Sequence, residues 1–153
     1  MLTNPYTPPN SELADQARPP GSPLKAILLG LTIDLGGSLI VGIVLGIVYA
    51  ISLARAGMDP SQIKEAVSHI SSTSWVSIVG TVVGGALSIL GGFTCARVSR
   101  RDDYKLGYIL GAISAVSGLL LSYSSHSLLI NVLLTVFTFG AVLLGTKLGL
   151  GEQ

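Results

Sequence analysis

The chain has 153 residues, of which 49% are hydrophobic and only 11% are charged, and its formal net charge is +1. A soluble domain of this length needs more surface charge, and a nearly neutral chain lacks the basic field of a nucleic-acid-binding protein. The single Cys95 excludes an internal disulfide framework. Composition therefore indicates an integral membrane protein whose first partner is the lipid bilayer.

The N-terminal segment differs from the rest of the chain because it holds six of the seven prolines, Pro5, Pro8, Pro9, Pro19, Pro20 and Pro23. A polar, Pro-rich segment buries too little apolar surface to fold. We therefore predict that residues 1–24 form a disordered cytoplasmic tail. Such a tail acts as a tether or, alternatively, as an extended ligand for a partner.

Four apolar stretches follow, at residues 26–54, 70–96, 106–125 and 127–146, each bounded by charged residues or His. About twenty apolar helical residues cross the hydrocarbon core of a bilayer. We predict an all-α transmembrane domain at 25–153, a four-helix bundle with spans near 30–54, 74–97, 105–124 and 127–148.

Asp34 is the one ionisable residue inside these spans, and acids within a membrane are candidates for function. If Leu53 marks the outer boundary, Asp34 lies near the inner boundary, level with Arg97, and an ion pair or contact with water neutralises it. If the helix instead begins at Ala26, Asp34 lies about 12 Å inside the membrane. That depth favours a proton or cation relay, and the sequence leaves both possibilities open.

The loop after the first span has the signals of a short helix. Asp59 is a good N-cap, Pro60 suits the first helical position, and Gln62 stands where a capping box needs Glu or Gln. Apolar residues recur at helical spacing, at Ile63, Ala66, Val67 and Ile70. We predict an amphipathic helix within 59–70 that is a connector at the outer surface or, alternatively, a lid.

Small residues recur every four positions inside the spans, which is typical of close helix packing in lipid. The main candidates are Gly42, Gly46, Gly80, Gly84, Gly92, Gly107, Gly111 and Gly145. Such faces join helices within one chain or between chains. On the fourth span, Asn131 and Thr135 share a face and are predicted to bridge helices.

Basic residues near the spans set the orientation, because Lys and Arg are retained in the cytoplasm. Only Arg55 and Lys64 lie on the predicted outer side, while the other side holds Arg18, Lys25, Arg97, Arg100, Arg101, Lys105 and Lys147. Both termini are therefore predicted to be cytoplasmic.

Residues that carry enzyme chemistry are absent from the predicted spans. His69 and His126 both fall in outer loops, and no nucleophile motif occurs. The adjacent Asp102 and Asp103 form a charge-balanced turn with neighbouring basic residues. We therefore predict no catalytic residues, no cofactor and no metal site.

Residues 91–97 read Gly-Gly-Phe-Thr-Cys-Ala-Arg and precede a charged turn and another Gly-rich helix. This pattern resembles a family of small four-span proteins of the bacterial inner membrane. The opening at 4–9 looks like tails that are common on small proteobacterial membrane proteins. The resemblance implies a bacterial plasma membrane and no particular activity. In architecture alone, four spans with one acid in the first are similar to small multidrug transporters, although aromatic residues around Asp34 are lacking.

Two functions of different class follow from these features. The first is a non-enzymatic membrane module that forms a homo-oligomer or binds another membrane protein through its glycine faces. The second is a small channel or proton-coupled transporter whose path passes Asp34.

Overall fold

The computed structural model describes residues 21–71, 73–99, 104–122 and 128–151. All regular structure in these ranges is helical, and the helices are α1 (Pro23–Leu31), α2 (Gly37–Arg55), α3 (Pro60–Ser68), α4 (Trp75–Ser99), α5 (Lys105–Ser122) and α6 (Leu128–Gly151). A π-helical turn, Thr32–Gly36, joins α1 to α2. The predictions for the tail before Gly21, for the turn at Asp102 and Asp103 and for His126 lie outside the described residues.

Three helices are long and apolar enough to cross a membrane: Pro23–Arg55, Trp75–Ser99 and Leu128–Gly151. The remaining apolar helix, α5, is shorter. The prediction of an all-α membrane protein is confirmed at this level.

The first long helix begins earlier than the predicted span. It starts at Pro23, which stands at the first helical position after Ser22, and it runs on to Arg55. Proline suits this position because its missing N–H would have no helical partner. The added turns bury Ala26 completely, so they belong to the packed part of the bundle.

Helix α4 lies at the centre and contacts α1, α2, α5 and α6, most extensively α6. The core is small, with Ala26, Cys95, Leu110 and Val142 fully buried. We call the end where Gly21 N–H donates to Ser99 O (2.9 Å) the tail end. At the opposite end, the α3 end, the rings of Tyr49 and Trp75 meet edge to face at 6.5 Å.

Glycines hold α6 against α4 and α5. A Cβ at Gly92 or Gly145 would collide with a backbone carbonyl of the facing helix, and one at Gly107 would lie 2.6 Å from Thr146 Oγ1. Gly111 packs closely on Phe139. These four predicted packing residues therefore lie at helix contacts.

The other predicted packing glycines lie where the helices separate. Gly80 has only an ordinary contact with Leu45, and a Cβ at Gly42, Gly46 or Gly84 would have no neighbour within 4 Å. Helix α2 has no buried residue, because it packs mainly on α4 and α3. Close packing within the chain thus does not extend to Gly42, Gly46 and Gly84.

The predicted amphipathic helix is present as α3, which begins at Pro60. Asp59 N–H donates to Gln62 Oε1 at 3.1 Å, which is one half of the capping box. The apolar positions Ile63, Ala66 and Val67 are half-buried, and α3 packs on α2.

We expect Gln62→Ala to loosen α3 selectively, because the Asp59 amide loses its side-chain acceptor. The local opening free energy should fall by about 0.5–1 kcal/mol, which hydrogen exchange of the α3 amides measures directly. Lys64→Ala, at an exposed position of the same helix, is the control. Equal protection of α3 in both variants would contradict the capping role.

Candidate functional site

A cavity of about 530 Å³ lies between α2, α4, α5 and α6. Leucine, isoleucine, phenylalanine and glycine form most of its wall. Its polar lining residues come from the turn before α2 and from all four helices, and they are Asp34, Ser38, Thr81, Ser88, Ser114, Thr135 and Thr138. Leu39, Ile43 and Leu119 line the cavity and are also exposed, so the cavity reaches the bundle surface between α2 and α5.

Among the described residues that line this wall, Asp34 is the only charged one, and it is 3% exposed. Ser88 Oγ donates a hydrogen bond to Asp34 Oδ1 at 2.6 Å. Asp34 Oδ2 is buried and has no hydrogen-bond partner in the described part of the chain. One carboxyl oxygen is therefore held in place, while the other is buried without a hydrogen-bond partner among the described residues.

The contact with Ser88 sets the depth of Asp34. Ser88 follows the first residue of α4, Trp75, by 13 positions and precedes the last, Ser99, by 11. Asp34 thus faces the middle of a helix that is long enough to cross a membrane. The first helix begins at Pro23, ahead of Ala26, and an early start is the alternative that the sequence analysis associated with a relay.

The π-helical turn presents Asp34 to the cavity. The turn consists of Thr32–Gly36, and Thr32 Oγ1 donates to Leu28 O at 2.8 Å. A π-turn widens the helix locally, and such turns occur frequently at functional sites. The sequence prediction missed it, and the only local signal is the Gly36–Gly37 pair that follows the acid.

Closely packed backbone lies on the tail side of Asp34. A Cβ at Gly30 would lie 2.9 Å from Gly91 O and 2.8 Å from a methyl of Leu110. A Cβ at Gly91 would lie 2.8 Å from Gly30 O and 3.1 Å from Asp34 Cβ. This crossing of α1 and α4 brings Asp34 close to α4 and closes the bundle toward the tail end.

The structure does not bring Asp34 and Arg97 together. The Arg97 guanidinium lies over the Phe93 ring, 5.0 Å from its centroid. Ser88, the partner of Asp34, precedes Arg97 by nine positions, or about 13 Å along a helix. The predicted ion pair is absent because the first helix begins at Pro23, which carries Asp34 away from the tail end.

The polar residues of α6 do not form the predicted bridge through the Thr135 hydroxyl. Thr135 Oγ1 donates to Asn131 O of the same helix at 2.7 Å. Asn131 is buried, whereas Thr135 lines the cavity together with Thr138. Helix α6 therefore contributes two threonines, Thr135 and Thr138, to the cavity wall.

Two serines of the site have roles that the sequence analysis missed. Ser88 binds Asp34, and Ser114, only 1% exposed, lines the cavity with an Oγ that has no partner among the described residues. Both stand in the small-residue rows that were read as packing surfaces. In the sequence, the signal for these roles was a serine within a row of glycines.

A second cavity, of about 580 Å³, lies at the α3 end between α2, α3 and α4. Its wall includes His69, Ser77 and three glycines, Gly42, Gly46 and Gly80. Gly42 also lines the first cavity, so the two cavities adjoin at this residue.

Comparison with known proteins gave no match to any family model, curated protein or solved structure. Within the described ranges, no group of three or more His, Cys, Asp or Glu side chains is arranged to hold a metal ion. The fold and the site define the class of protein: an all-helical membrane protein with an acidic cavity among its helices.

Proposed function

We propose that this protein is a small transporter or channel in which Asp34 binds the permeating proton or small cation. The observation that carries the proposal is Asp34, which lines a cavity of about 530 Å³ and whose buried Oδ2 has no hydrogen-bond partner among the described residues.

The energetics of burial support this role. Leaving a buried polar group without a hydrogen bond costs about 1–3 kcal/mol, and more when the group is charged. A charged side chain at the centre of a membrane is also expensive. A bound proton or cation would give Oδ2 the partner that it lacks among the described residues.

The surrounding residues have roles that fit such a site. Ser88 holds Asp34 Oδ1 through its 2.6 Å hydrogen bond and fixes the carboxyl group against α4. Ser38, Ser114 and Thr135 line the same cavity, and we propose that their side-chain oxygens contribute to binding a cation or its water. Binding and release at these groups involve no covalent chemistry, and we propose no enzymatic activity.

We propose four spans, with α5 as the shortest, and a location in the bacterial plasma membrane with both termini in the cytoplasm. The excess of Lys and Arg at the tail end supports this orientation, and the family resemblance of residues 91–97 supports the type of membrane. The tail end then faces the cytoplasm and the α3 end faces outward.

Purified protein in liposomes tests the proposal. A potassium diffusion potential drives cation entry, while an internal pH dye and radioactive sodium report proton and Na⁺ uptake. We expect the liposomes to take up one of the two ions, and we expect this uptake to depend on Asp34. Uptake equal to that of protein-free liposomes for both ions would contradict the proposal.

A second candidate is the non-enzymatic module that forms oligomers or binds a partner. The observation that favours it is α2, which has no buried residue and carries Gly42 and Gly46 with open space around them. Cysteine cross-linking between copies at Ile43, an exposed residue of the same helix, tests it. Efficient cross-links at Ile43→Cys, and none at Val82→Cys on α4, would support the module.

A further inference from the structure

We infer that Asp34 is reached by water from the α3 end of the bundle and is sealed from the tail end. This inference rests on the proposed function, because it assigns the side from which the ion enters in the described conformation.

The first observation is the continuity of the two cavities. Gly42 belongs to the walls of both. One cavity contains Asp34 in its wall and the other contains His69, next to α3. Gly42 has open space where a side chain would project, so the chain leaves the junction between the cavities unfilled.

The second observation is the chemistry of the α4 face that follows this route. From the α3 end toward Asp34, that face presents Ser77, Gly80, Thr81, Gly84 and Ser88. Small and hydroxyl-bearing residues at successive turns leave room for water and offer it hydrogen bonds. The face extends over 11 helical steps from Ser77 to Ser88, or about 16 Å of helix, and it ends at the hydroxyl that holds Asp34.

The third observation is the contrast with the tail end. There, Gly30 and Gly91 bring the backbones of α1 and α4 together, and Gly145 does the same for α4 and α6. Ala26, Cys95 and Leu110 fill the space behind these crossings and are fully buried. These close crossings leave little room for water between the described parts of α1, α4 and α6 on the tail side of Asp34.

The two ends of this route carry polar side chains that differ in exposure to solvent. Asp34 is buried with one oxygen unpartnered within the described residues, whereas His69 is exposed beside the second cavity. Helix α3 packs on α2 and contributes Val67 and Ser68 to that cavity wall. Movement of α3 relative to α2 would therefore change the width of the entrance.

Thiol accessibility in membrane vesicles tests this inference. The native Cys95 is replaced by Ala, and single cysteines are placed at Thr81 in the first cavity and at Ser77 in the second. A charged methanethiosulfonate reagent is added from either side of the membrane. Lys64→Cys on α3 and Lys147→Cys near the tail end are internal controls that identify the two sides of the membrane.

We expect Thr81→Cys and Ser77→Cys to react from the side that labels Lys64→Cys, about tenfold or more faster than from the other side, since a charged reagent needs water and an accessible thiol. Val82→Cys, which neighbours Thr81 but is 66% exposed on the surface of α4, should stay unreactive because lipid covers it. Adding Gly42→Phe should slow labelling of Thr81→Cys and leave Ser77→Cys unchanged.

Labelling of Thr81→Cys from the Lys147 side, or at the slow rate of Val82→Cys, would overturn the inference. These outcomes are separable from failure of the proposed function. If ion uptake depends on Asp34 but Thr81→Cys is labelled from the Lys147 side, only the route is rejected. The expected labelling without any Asp34-dependent uptake would retain the route and reject the transport function.

Discussion

Asp34→Asn should abolish ion uptake into liposomes while the protein still folds. The amide keeps the shape of the side chain, and its oxygen can still accept the hydrogen bond from Ser88. The asparagine amide carries no negative charge, and it cannot take up and release a proton at the position of Oδ2. Because the acid is only 3% exposed, replacing it with a neutral amide should leave stability equal or higher, and uptake should fall to the background of protein-free liposomes.

Two further variants isolate the effect of Asp34 on uptake. Ser88→Ala removes the 2.6 Å hydrogen bond to Oδ1 but keeps the acid, so uptake should be reduced and not abolished. Glu65→Gln removes an exposed acid on α3 and should leave uptake at the wild-type rate. Full uptake by a folded Asp34→Asn variant would show that the ion does not bind this carboxyl group.

Gly145→Ala should be the most destabilising of the conservative substitutions in the bundle. Its methyl group would collide with the carbonyl of Ile89, and the contact between α4 and α6 is the most extensive in the fold. The helices must move apart, and overpacking of this kind costs about 1–3 kcal/mol. Gly92→Ala, which faces Val142 from the other helix, should have a similar effect.

Gly46→Ala is the matched control, because its added methyl group meets nothing within 4 Å. Denaturation in mixed micelles, followed by the fluorescence of Trp75, measures the difference in unfolding free energy. We expect a clear loss for Gly145→Ala and almost none for Gly46→Ala. Equal stability of the two variants would mean that the crossing of α4 and α6 is looser than described.

Much of the helical architecture was predictable from the sequence because hydrophobic length and capping are local properties. The three long apolar helices follow from apolar runs with few charged residues, and α3 begins where Asp59, Pro60 and Gln62 predict it. The start of the first helix was placed too late. Nothing within the apolar run itself indicates which helical turn is the first to pack in the bundle. Ala26 is buried because it packs with Cys95 of α4 and Leu110 of α5.

The site was only partly predictable because it depends on contacts between distant residues. Asp34 stood out as an acid among apolar residues, but its partner is Ser88, 54 positions away, and not Arg97. The π-turn changes which direction Asp34 faces, and no periodicity in the sequence encodes it. Glycine spacing could not separate Gly145, which allows a helix crossing, from Gly42, which leaves a cavity open.

Labelling of the intact protein with a lipid-soluble carbodiimide most directly tests whether Asp34 presents a reactive carboxyl group to the cavity. The reagent enters from lipid, where the cavity reaches the surface between α2 and α5, and mass spectrometry of the digested protein locates the adduct. We expect the adduct on Asp34, with loss of ion uptake in proportion to labelling. An unmodified Asp34 in protein whose exposed acids, Asp59 and Glu65, have reacted would contradict an accessible intramembrane site.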